Sequence, residues 1–329
     1  MIDQYVSSLE KDDFSGFGDF VCEDVKLMST NYGNGEGINA IVSKLKWQGL
    51  PYSYARYKIF NFVCFAKNDL AKVSCVISAL IADDDGYFHY FQFAGYYLFD
   101  LVKIEGKWMI KAIRFNLDME DGNTLMVKGW WKMIDYGVYC GTDDYPITSE
   151  YDNPWIAFED PEPFECEEDA VKDAMFRYAW GIDHSDFTVF ASCCKDQIKM
   201  VNEKNDGTIS GLDNVGDFMS KEEMIRLMKY KRYKEATMEH IYKICSVEID
   251  GDHALLKAYR YEPHRMQTTK LNKLNKDMDF YSGSFFYEFE KESGKYPDGG
   301  WKMATNGIKT LKTFNDGCSG KRRFFSEDE

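Results

Sequence analysis

The sequence contains one pattern twice, and this internal repeat limits the possible folds more than any other feature. Residues 4–14 and 177–187 share a tyrosine, an acidic residue five positions later and an Asp-Phe pair in register. The ends of the two halves also match, since residues 95–110 and 283–303 both run from a glycine through an aromatic stretch to a Gly and a Trp. A repeat of this length predicts two copies of one domain rather than a solenoid of short units.

Composition limits the partners that such a chain can bind. Its 329 residues suffice for two domains, and 44% hydrophobic with 16% aromatic residues favours packed cores over disorder. The net charge of -15 disfavours binding to nucleic acid and to anionic membrane surfaces. No apolar run approaches the roughly 18 residues that a membrane-spanning helix needs, and the acidic N-terminus shows no secretory signal.

The cysteines indicate a reducing compartment. The nine cysteines are an odd number, and no two of them have the Cys-x-x-Cys spacing of a metal or redox motif. Cys193 and Cys194 are adjacent, which is a poor geometry for a bridge between them. We therefore predict reduced thiols and a cytoplasmic protein.

The order of elements predicts the fold class. Helical patterns cover residues 2–20, 36–46 and 169–184, and strand patterns follow them at 57–65, 71–81, 88–104 and 107–116, then at 239–249, 254–262, 280–291 and 301–313. Helices followed by a meander of long strands predict an α+β fold with two cone-shaped domains, each with N-terminal helices packed on a strongly curved antiparallel sheet. The predicted boundaries are a first domain at 1–134, an acidic, proline-containing linker at 135–166, a second domain at 167–315 and a charged tail at 316–329.

The residues of the second half resemble a known family. The run from Tyr178 to Phe187 is similar to the first-helix motif of SnoaL-like proteins, which belong to the superfamily named after nuclear transport factor two. The segment from His240 to Ala254 resembles the family's histidine-containing strand, acidic turn and next strand, and residues 283–301 resemble its closing hairpin. The resemblance covers nearly the whole chain twice and implies the cone-shaped fold.

The resemblance also implies a catalytic site. The family includes scytalone dehydratase and bile acid 7α-dehydratase, which resemble the second half and use a tyrosine, an aspartate and a histidine. The matching positions here are Tyr178, Asp183 and His240. His240 would move protons, Asp183 would fix its tautomer and favour its charged form, and Tyr178 would stabilise developing oxyanion charge. The chemistry requires no metal, nucleotide or other cofactor.

Further polar residues are candidates for binding a substrate. Tyr259, Asp279 and Tyr281 stand on or beside predicted strands and are assigned to substrate binding, although the sequence does not determine which way they face. Taken singly, each of the three catalytic candidates is also compatible with a structural role, such as a core aromatic or a satisfied strand histidine.

The first half departs from this pattern. Tyr5 persists, but Glu10 replaces the aspartate and Tyr57 stands where the second half has its histidine. We therefore predict a degenerate or differently tuned first domain that either binds a ligand or packs against the second one within the chain, as in a fused dimer that could dimerise further. The leading hypothesis for the protein is a cofactor-independent dehydratase or isomerase acting on a small apolar cyclic compound, such as a steroid, terpenoid or polyketide. The alternative is a non-catalytic protein that uses the same fold for ligand binding or assembly.

Overall fold

The structure is a computed structural model that describes residues 1–83, 89–127, 130, 146–203, 209–210, 218–234, 240–262, 279–294, 296, 299–309 and 320–323. The chain divides into two compact units, Met1–Glu162 and Pro163–Glu329. No helix in these ranges has both the length and the apolar character needed to cross a membrane.

The first unit begins with helices and continues with long strands. Its elements are α1 (Ile2–Lys11), a 3-10 turn (Phe17–Asp19), β1 (Val21–Ser29), β2 (Gly35–Glu36), α2 (Ile38–Leu45), β3 (Tyr54–Lys67), β4 (Leu70–Asp83), β5 (His89–Ile104) and β6 (Lys107–Gly122), followed by a 3-10 turn (Thr124–Val127) and the short helix α3 (Ser149–Asp152). The predicted first helix is too long, because the chain turns into the left-handed region at Asp12, with φ of 50°. Helix α1 therefore ends at Lys11, and the Phe17 ring enters the core from a separate turn.

The first sheet has the strand order β2-β1-β6-β5-β4-β3. Strands β3 to β6 form the predicted antiparallel meander. One further strand, β1, lies outside the predicted meander and pairs with β6 in parallel. Strand β1 was not predicted because its exposed and buried positions alternate irregularly, with charged residues such as Asp24 among them. As expected, the helices pack on one face of a curved sheet.

Curvature of the first sheet is visible at its register shifts. Strand β5 shifts against β6 between Ala94 and Gly95. A Cβ atom at Gly95 would lie 1.9 Å from the Asn116 carbonyl oxygen, so only glycine allows the two backbones to approach this closely. A second shift, between Phe60 and Val63, bends β3 against β4.

The described part of the predicted linker packs against the first unit. Trp155 is buried, and its ring meets the Phe65 ring edge-on at 6.5 Å. The backbone N–H of Glu162 donates to the Ala66 carbonyl over 2.8 Å, and an ion pair joins Asp152 to Arg114. Residues 146–162 are thus part of this unit's packing.

The second unit repeats the order of the first. Its elements are α4 (Glu167–Asp183), α5 (Phe187–Ser192), β7 (Cys194–Glu203), β8 (Ile209–Ser210), β9 (Phe218–Ser220), α6 (Lys221–Lys234), β10 (Ile241–Asp250), β11 (His253–Glu262), β12 (Asp279–Glu292), β13 (Gly300–Lys309) and β14 (Gly320–Arg323). Helix α6 opens with a capping box, in which the Ser220 hydroxyl accepts the Glu223 N–H and the Glu223 carboxylate accepts the Ser220 N–H.

The second sheet has the order β10-β11-β12-β13-β7-β8, with β9 also pairing with β7 and β14 with β12. Here too one pair, β13 with β7, is parallel. The parallel strand follows the first helices in both units, and the antiparallel meander follows the later helix. The two units therefore share one topology, which accounts for the repeat in the sequence. Within the described strands, both sheets remain open and neither closes into a barrel.

Candidate functional site

Helix α4 carries two of the predicted site residues, and its second half is buried on nearly every side. Eleven consecutive residues, Asp173 to Asp183, are buried. Tyr178 and Asp183 are five residues apart, about 140° around the helix axis. They face a common interior because the helix lies inside the fold instead of exposing a polar stripe.

Close contact with the next helix fixes the end of α4. A Cβ atom at Gly181 would lie 2.6 Å from the Cβ atom of Phe190 and 2.8 Å from its backbone nitrogen. Only glycine allows α4 and α5 to approach this closely. Asp186 caps α5 by accepting the Val189 N–H over 3.2 Å. These contacts determine where Asp183, the last residue of α4, is held.

The Asp183 carboxylate binds His240 with both of its oxygens. Oδ1 lies 2.5 Å from the imidazole Nδ1, and Oδ2 accepts the backbone N–H of His240 over 2.8 Å. Both residues are almost fully buried, with 3% and 2% of their surfaces exposed. A carboxylate in this position holds the proton of a neutral imidazole on Nδ1 and leaves Nε2 able to accept a proton. It also stabilises the imidazolium that such a transfer would form.

Tyr178 lies beside this pair. Its ring stands edge-on to the His240 ring, with centroids 6.0 Å apart. Its hydroxyl oxygen accepts a hydrogen bond from the Asn306 side-chain amide over 3.1 Å, and this bond does not use the phenol's own proton. Burial raises the pKa of Tyr178 well above its ordinary value, so the phenol remains a neutral donor at physiological pH.

Two more tyrosines and an arginine surround Tyr178. The Tyr287 hydroxyl donates to the Tyr242 hydroxyl over 3.0 Å, and both rings are buried. The guanidinium of Arg260, which is 8% exposed, lowers the pKa of Tyr178 and of Tyr287 against the larger effect of burial. The site therefore combines phenol donors with one permanent positive charge.

A buried ion pair also lies on α4, the helix that carries Tyr178 and Asp183. The Arg177 Nε atom lies 3.0 Å from an Asp173 carboxylate oxygen, and both side chains are at most 2% exposed. Tyr296 donates its hydroxyl proton to the same carboxylate over 3.2 Å, and Arg177 donates to the Ser192 carbonyl over 3.1 Å. This network attaches the hairpin after β12 and the end of α5 to the helix that carries the site.

The residues assigned to substrate binding lie in two different situations. Tyr259 is 41% exposed, whereas its neighbours Ala258 and Arg260 are buried. Side chains alternate between the two faces of a strand, so Tyr259 projects to the face opposite Ala258 and Arg260, away from Tyr178. The backbones of Asp279 and Tyr281 belong to β12, but their side chains lie outside the described residues.

An open cavity of about 670 Å³ borders the opposite face of the second sheet. Its lining mixes charged and polar side chains with apolar ones, and includes Lys195, Lys199, Glu248, His253, Glu288, Phe218, Ile249 and Phe289. Lys195 forms ion pairs with Glu290 at 3.0 Å and with Glu292 at 2.8 Å. His240 is not among the residues that line this cavity.

The first unit reproduces part of this arrangement. Glu10, at the position that corresponds to Asp183, accepts the backbone N–H of Tyr57 over 2.8 Å. Tyr57 stands in the place of His240, so the strand carries a phenol instead of an imidazole. Tyr5, which corresponds to Tyr178, is fully buried. The link between helix and strand is retained, while the imidazole of the predicted catalytic pair is absent from this position.

Sequence reasoning missed the contribution of Asn306 and left the direction of Arg260 undetermined. Both lie on strands and alternate with residues of the other face, so the register of the pairing was needed to assign their faces. For metals, no group of three or more His, Cys, Asp or Glu side chains is suitably placed in the described part of the chain.

Comparisons with known proteins place the second unit in a family. Residues 166–306 match the model of the SnoaL-like domain. A comparison with curated protein sequences finds no significant match.

Solved structures with a similar arrangement are distant in sequence. A candidate scytalone dehydratase from Novosphingobium aromaticivorans is 18% identical over 37% of this chain and 82% of its own, with a TM-score of 0.33. A nuclear transport factor 2-like superfamily protein from Salmonella enterica is 15% identical over 35% of this chain and 83% of its own, with a TM-score of 0.29. A hexachlorocyclohexane dehydrochlorinase from Novosphingobium barchaimii is 12% identical over 37% of this chain and 84% of its own, with a TM-score of 0.33. Likeness at this level carries no conclusion about activity.

Proposed function

Because residues 166–306 form a SnoaL-like domain, we propose that the second unit is a lyase or isomerase that works by acid/base catalysis on a small apolar cyclic compound. A hydroxylated steroid, terpenoid or polyketide would fit this description. The observation that carries the proposal is the bond of 2.5 Å between the Asp183 carboxylate and the His240 imidazole in the interior of the unit. The reaction uses side chains of the protein as its acid and base.

The proposed reaction begins with proton transfer to His240. Its Nε2 atom takes a proton from a carbon next to a substrate carbonyl, and the electron pair left on carbon moves to the carbonyl oxygen. Asp183 stabilises the imidazolium that forms. Tyr178, which burial keeps neutral, donates a hydrogen bond to the developing oxyanion.

The second step returns the proton. In a dehydration, the imidazolium protonates the departing hydroxyl group, the electron pair of the enolate forms the new double bond, and water leaves. In an isomerisation, the same proton goes to a different carbon and nothing leaves. Both routes restore neutral His240, so the geometry supports either reaction.

The experiment is a screen of hydroxylated steroids, terpenoids and polyketides with the full chain, with loss of water or migration of a double bond followed by mass spectrometry and ultraviolet absorbance. We expect His240→Ala to lower kcat/KM for a converted compound by about 10²-fold to 10⁴-fold, as for loss of a general base. Asp183→Asn, which keeps an acceptor for the His240 N–H, should lower it as well while leaving the circular dichroism spectrum unchanged. Full activity in both variants would refute the assignment.

The alternative is a non-catalytic protein that binds a ligand or assembles through the same fold. Its supporting observation is the packing of rings around the site, where Tyr287 lies 6.1 Å from Tyr178 and 6.0 Å from Tyr242. Side chains thus occupy part of the cone. Saturable binding of a screened compound that is recovered unchanged would favour this reading. A cytoplasmic location is proposed for either function, in keeping with the free thiols of seven described cysteines.

A further inference from the structure

Asn306 reaches the interior of the second unit through an irregularity in β13. Trp301 and Met303 are two positions apart, and both belong to the core, as alternation along a strand requires. Regular alternation would then place Asn306, three positions after Met303, on the opposite face of the sheet. Its side-chain amide nevertheless donates to the buried Tyr178, so the alternation changes between Met303 and Asn306.

A β-bulge at Ala304 causes this change. Met303 and Thr305 pair with consecutive residues of β12, so the intervening Ala304 has no partner on that strand. One extra residue on one of two paired strands reverses the facing of the side chains that follow it. The bulge therefore turns Asn306 toward the interior.

The first unit has the same bulge but a different residue after it. On β6 the bulged residue is Lys111, which has no partner on β5. The position that corresponds to Asn306 holds Ile113, which is fully buried in the apolar core. The bulge is thus part of the shared fold, whereas the amide accompanies the imidazole of His240.

The Asn306 amide determines how the Tyr178 hydroxyl can donate. An amide N–H is only a donor, so it occupies a lone pair of the phenol oxygen and leaves the phenol's own proton available. Burial raises the pKa of Tyr178, and the hydrogen bond from Asn306 acts in the opposite direction because it stabilises the phenolate. A phenol that accepts one hydrogen bond is also a stronger donor through its own proton.

We propose that Asn306 is a positioning residue, whose amide directs the hydroxyl proton of Tyr178 toward the substrate oxygen that becomes negatively charged. The inference rests on the proposed function, since it concerns the donor to the oxyanion. Asn306 contacts the phenol, and its effect on the reaction passes through Tyr178. Its loss should lower kcat and leave KM nearly unchanged, because the bond from Tyr178 strengthens as charge develops.

The first measurement needs no substrate. The full chain is labelled with tyrosine that carries carbon-13 at Cζ, and the Tyr178 signal in the NMR spectrum is identified by its loss in Tyr178→Phe. Asn306→Ile introduces the residue of the first unit, and Asn306→Asp keeps the shape of the side chain but offers only acceptors when ionised. We expect both variants to move the Tyr178 signal. Thr305→Val, whose side chain borders the open cavity on the other face, should leave the signal in place.

The second measurement uses a compound that the protein converts. Asn306→Ile should lower kcat about 10-fold, the effect of one hydrogen bond, with little change in KM. Asn306→Asp should lower kcat further, because a carboxylate would accept the phenol's proton and turn it away from the substrate. In a Tyr178→Phe background, Asn306→Ile should have no further effect.

Two results would overturn the proposal. One is an unchanged Tyr178 signal in both Asn306 variants. The other is a loss of kcat from Asn306→Ile that is equally large in the Tyr178→Phe background, which would mean that Asn306 acts on the substrate or on the fold directly. Conversion of no compound by the unsubstituted protein, with the signal still moving in the variants, would refute the proposed function alone and leave Asn306 as the residue that orients the phenol.

Discussion

The Glu10 carboxylate accepts the backbone N–H of Tyr57 over 2.8 Å, and this bond reproduces the one that Asp183 accepts from the His240 N–H over 2.8 Å. In both units an acidic residue near the end of the first long helix therefore satisfies a backbone donor at the start of the meander. The hydrogen bond to the imidazole ring is added to this link only in the second unit. The carboxylate thus has a structural role that is separable from its proposed chemical one.

The first prediction concerns this structural role. Glu10→Ala should leave the buried Tyr57 N–H without its acceptor and destabilise the first unit by about 1–3 kcal/mol. Hydrogen–deuterium exchange of peptides within residues 54–67 should become faster. Glu10→Gln keeps a carbonyl acceptor and should show less than half of this effect, and equal exchange in both variants would contradict the prediction.

A second prediction tests the phenol of the proposed site. Tyr178→Phe removes the donor proposed for the developing oxyanion and should lower kcat for a converted compound by about 10²-fold. Tyr259→Phe is the matched control, since this tyrosine is 41% exposed on the other face of its strand. It should leave kcat within about two-fold of the unsubstituted protein. Equal losses in both variants would mean that the wrong face of the sheet had been assigned to the site.

A third prediction follows from the buried tyrosines. Burial raises the pKa of Tyr5, Tyr57, Tyr97, Tyr178 and Tyr287 well above the ordinary value of 10.0. In the unfolded chain these phenols lose their protons near pH 10, whereas the folded state keeps them. The stability that these buried tyrosines contribute is therefore fully present below about pH 10 and falls as pH rises above it, because the unfolded state then binds fewer protons than the folded state.

The measurement is the melting temperature between pH 8 and pH 11.5, with phenolate absorbance recorded on the same samples. The melting temperature should fall steeply above about pH 10. The phenolate absorbance of the buried tyrosines should appear only as the protein unfolds. Ionisation of every tyrosine in the folded state near pH 10 would show that these rings are accessible to water.

A fourth prediction concerns the contact between α4 and α5. Gly181→Ala would place a methyl group 2.6 Å from the Phe190 Cβ atom, so the helices must separate at a cost of about 1–3 kcal/mol. Because Asp183 is two residues away, activity should fall as well. Gly18→Ala is the control, since its Cβ atom would make an ordinary contact at 3.6 Å with Ile38. Equal free energies of unfolding for the two variants in denaturant titrations would contradict this prediction.

Sequence reasoning succeeded where periodicity was strong. Most of the long strands of both meanders were predicted to within a few residues, since they are rich in aromatic and β-branched residues. Strand β6 ends at Gly122, six residues beyond its predicted end, and the predicted end of the last strand, 310–313, lies outside the described residues. The same reasoning missed β1 and β7, which lack a regular alternation of apolar and polar residues. Each of them pairs in parallel with a strand that is distant in the sequence. Parallel pairing of this kind depends on tertiary contacts that no local pattern contains.

The residues of the candidate site were also predicted only in part from the sequence. Tyr178, Asp183 and His240 could be named together because the resemblance aligned a helix motif with a strand motif. The inward faces of Arg260 and Asn306 and the outward face of Tyr259 depend on strand register, and a shift of one residue would have reversed them. Composition and spacing therefore could not determine on which face of the sheet each of these side chains lies.

The shared backbone bond has a consequence for how the two halves could diverge after duplication. The link between helix and strand needs only a carboxylate and a peptide N–H, so the residue on the strand is free to change without loosening the fold. A single replacement of histidine by tyrosine at this position exchanges an imidazole for a phenol while the backbone bond stays the same. Side-chain chemistry at the start of the meander can therefore differ between the two copies without a change in the topology that they share.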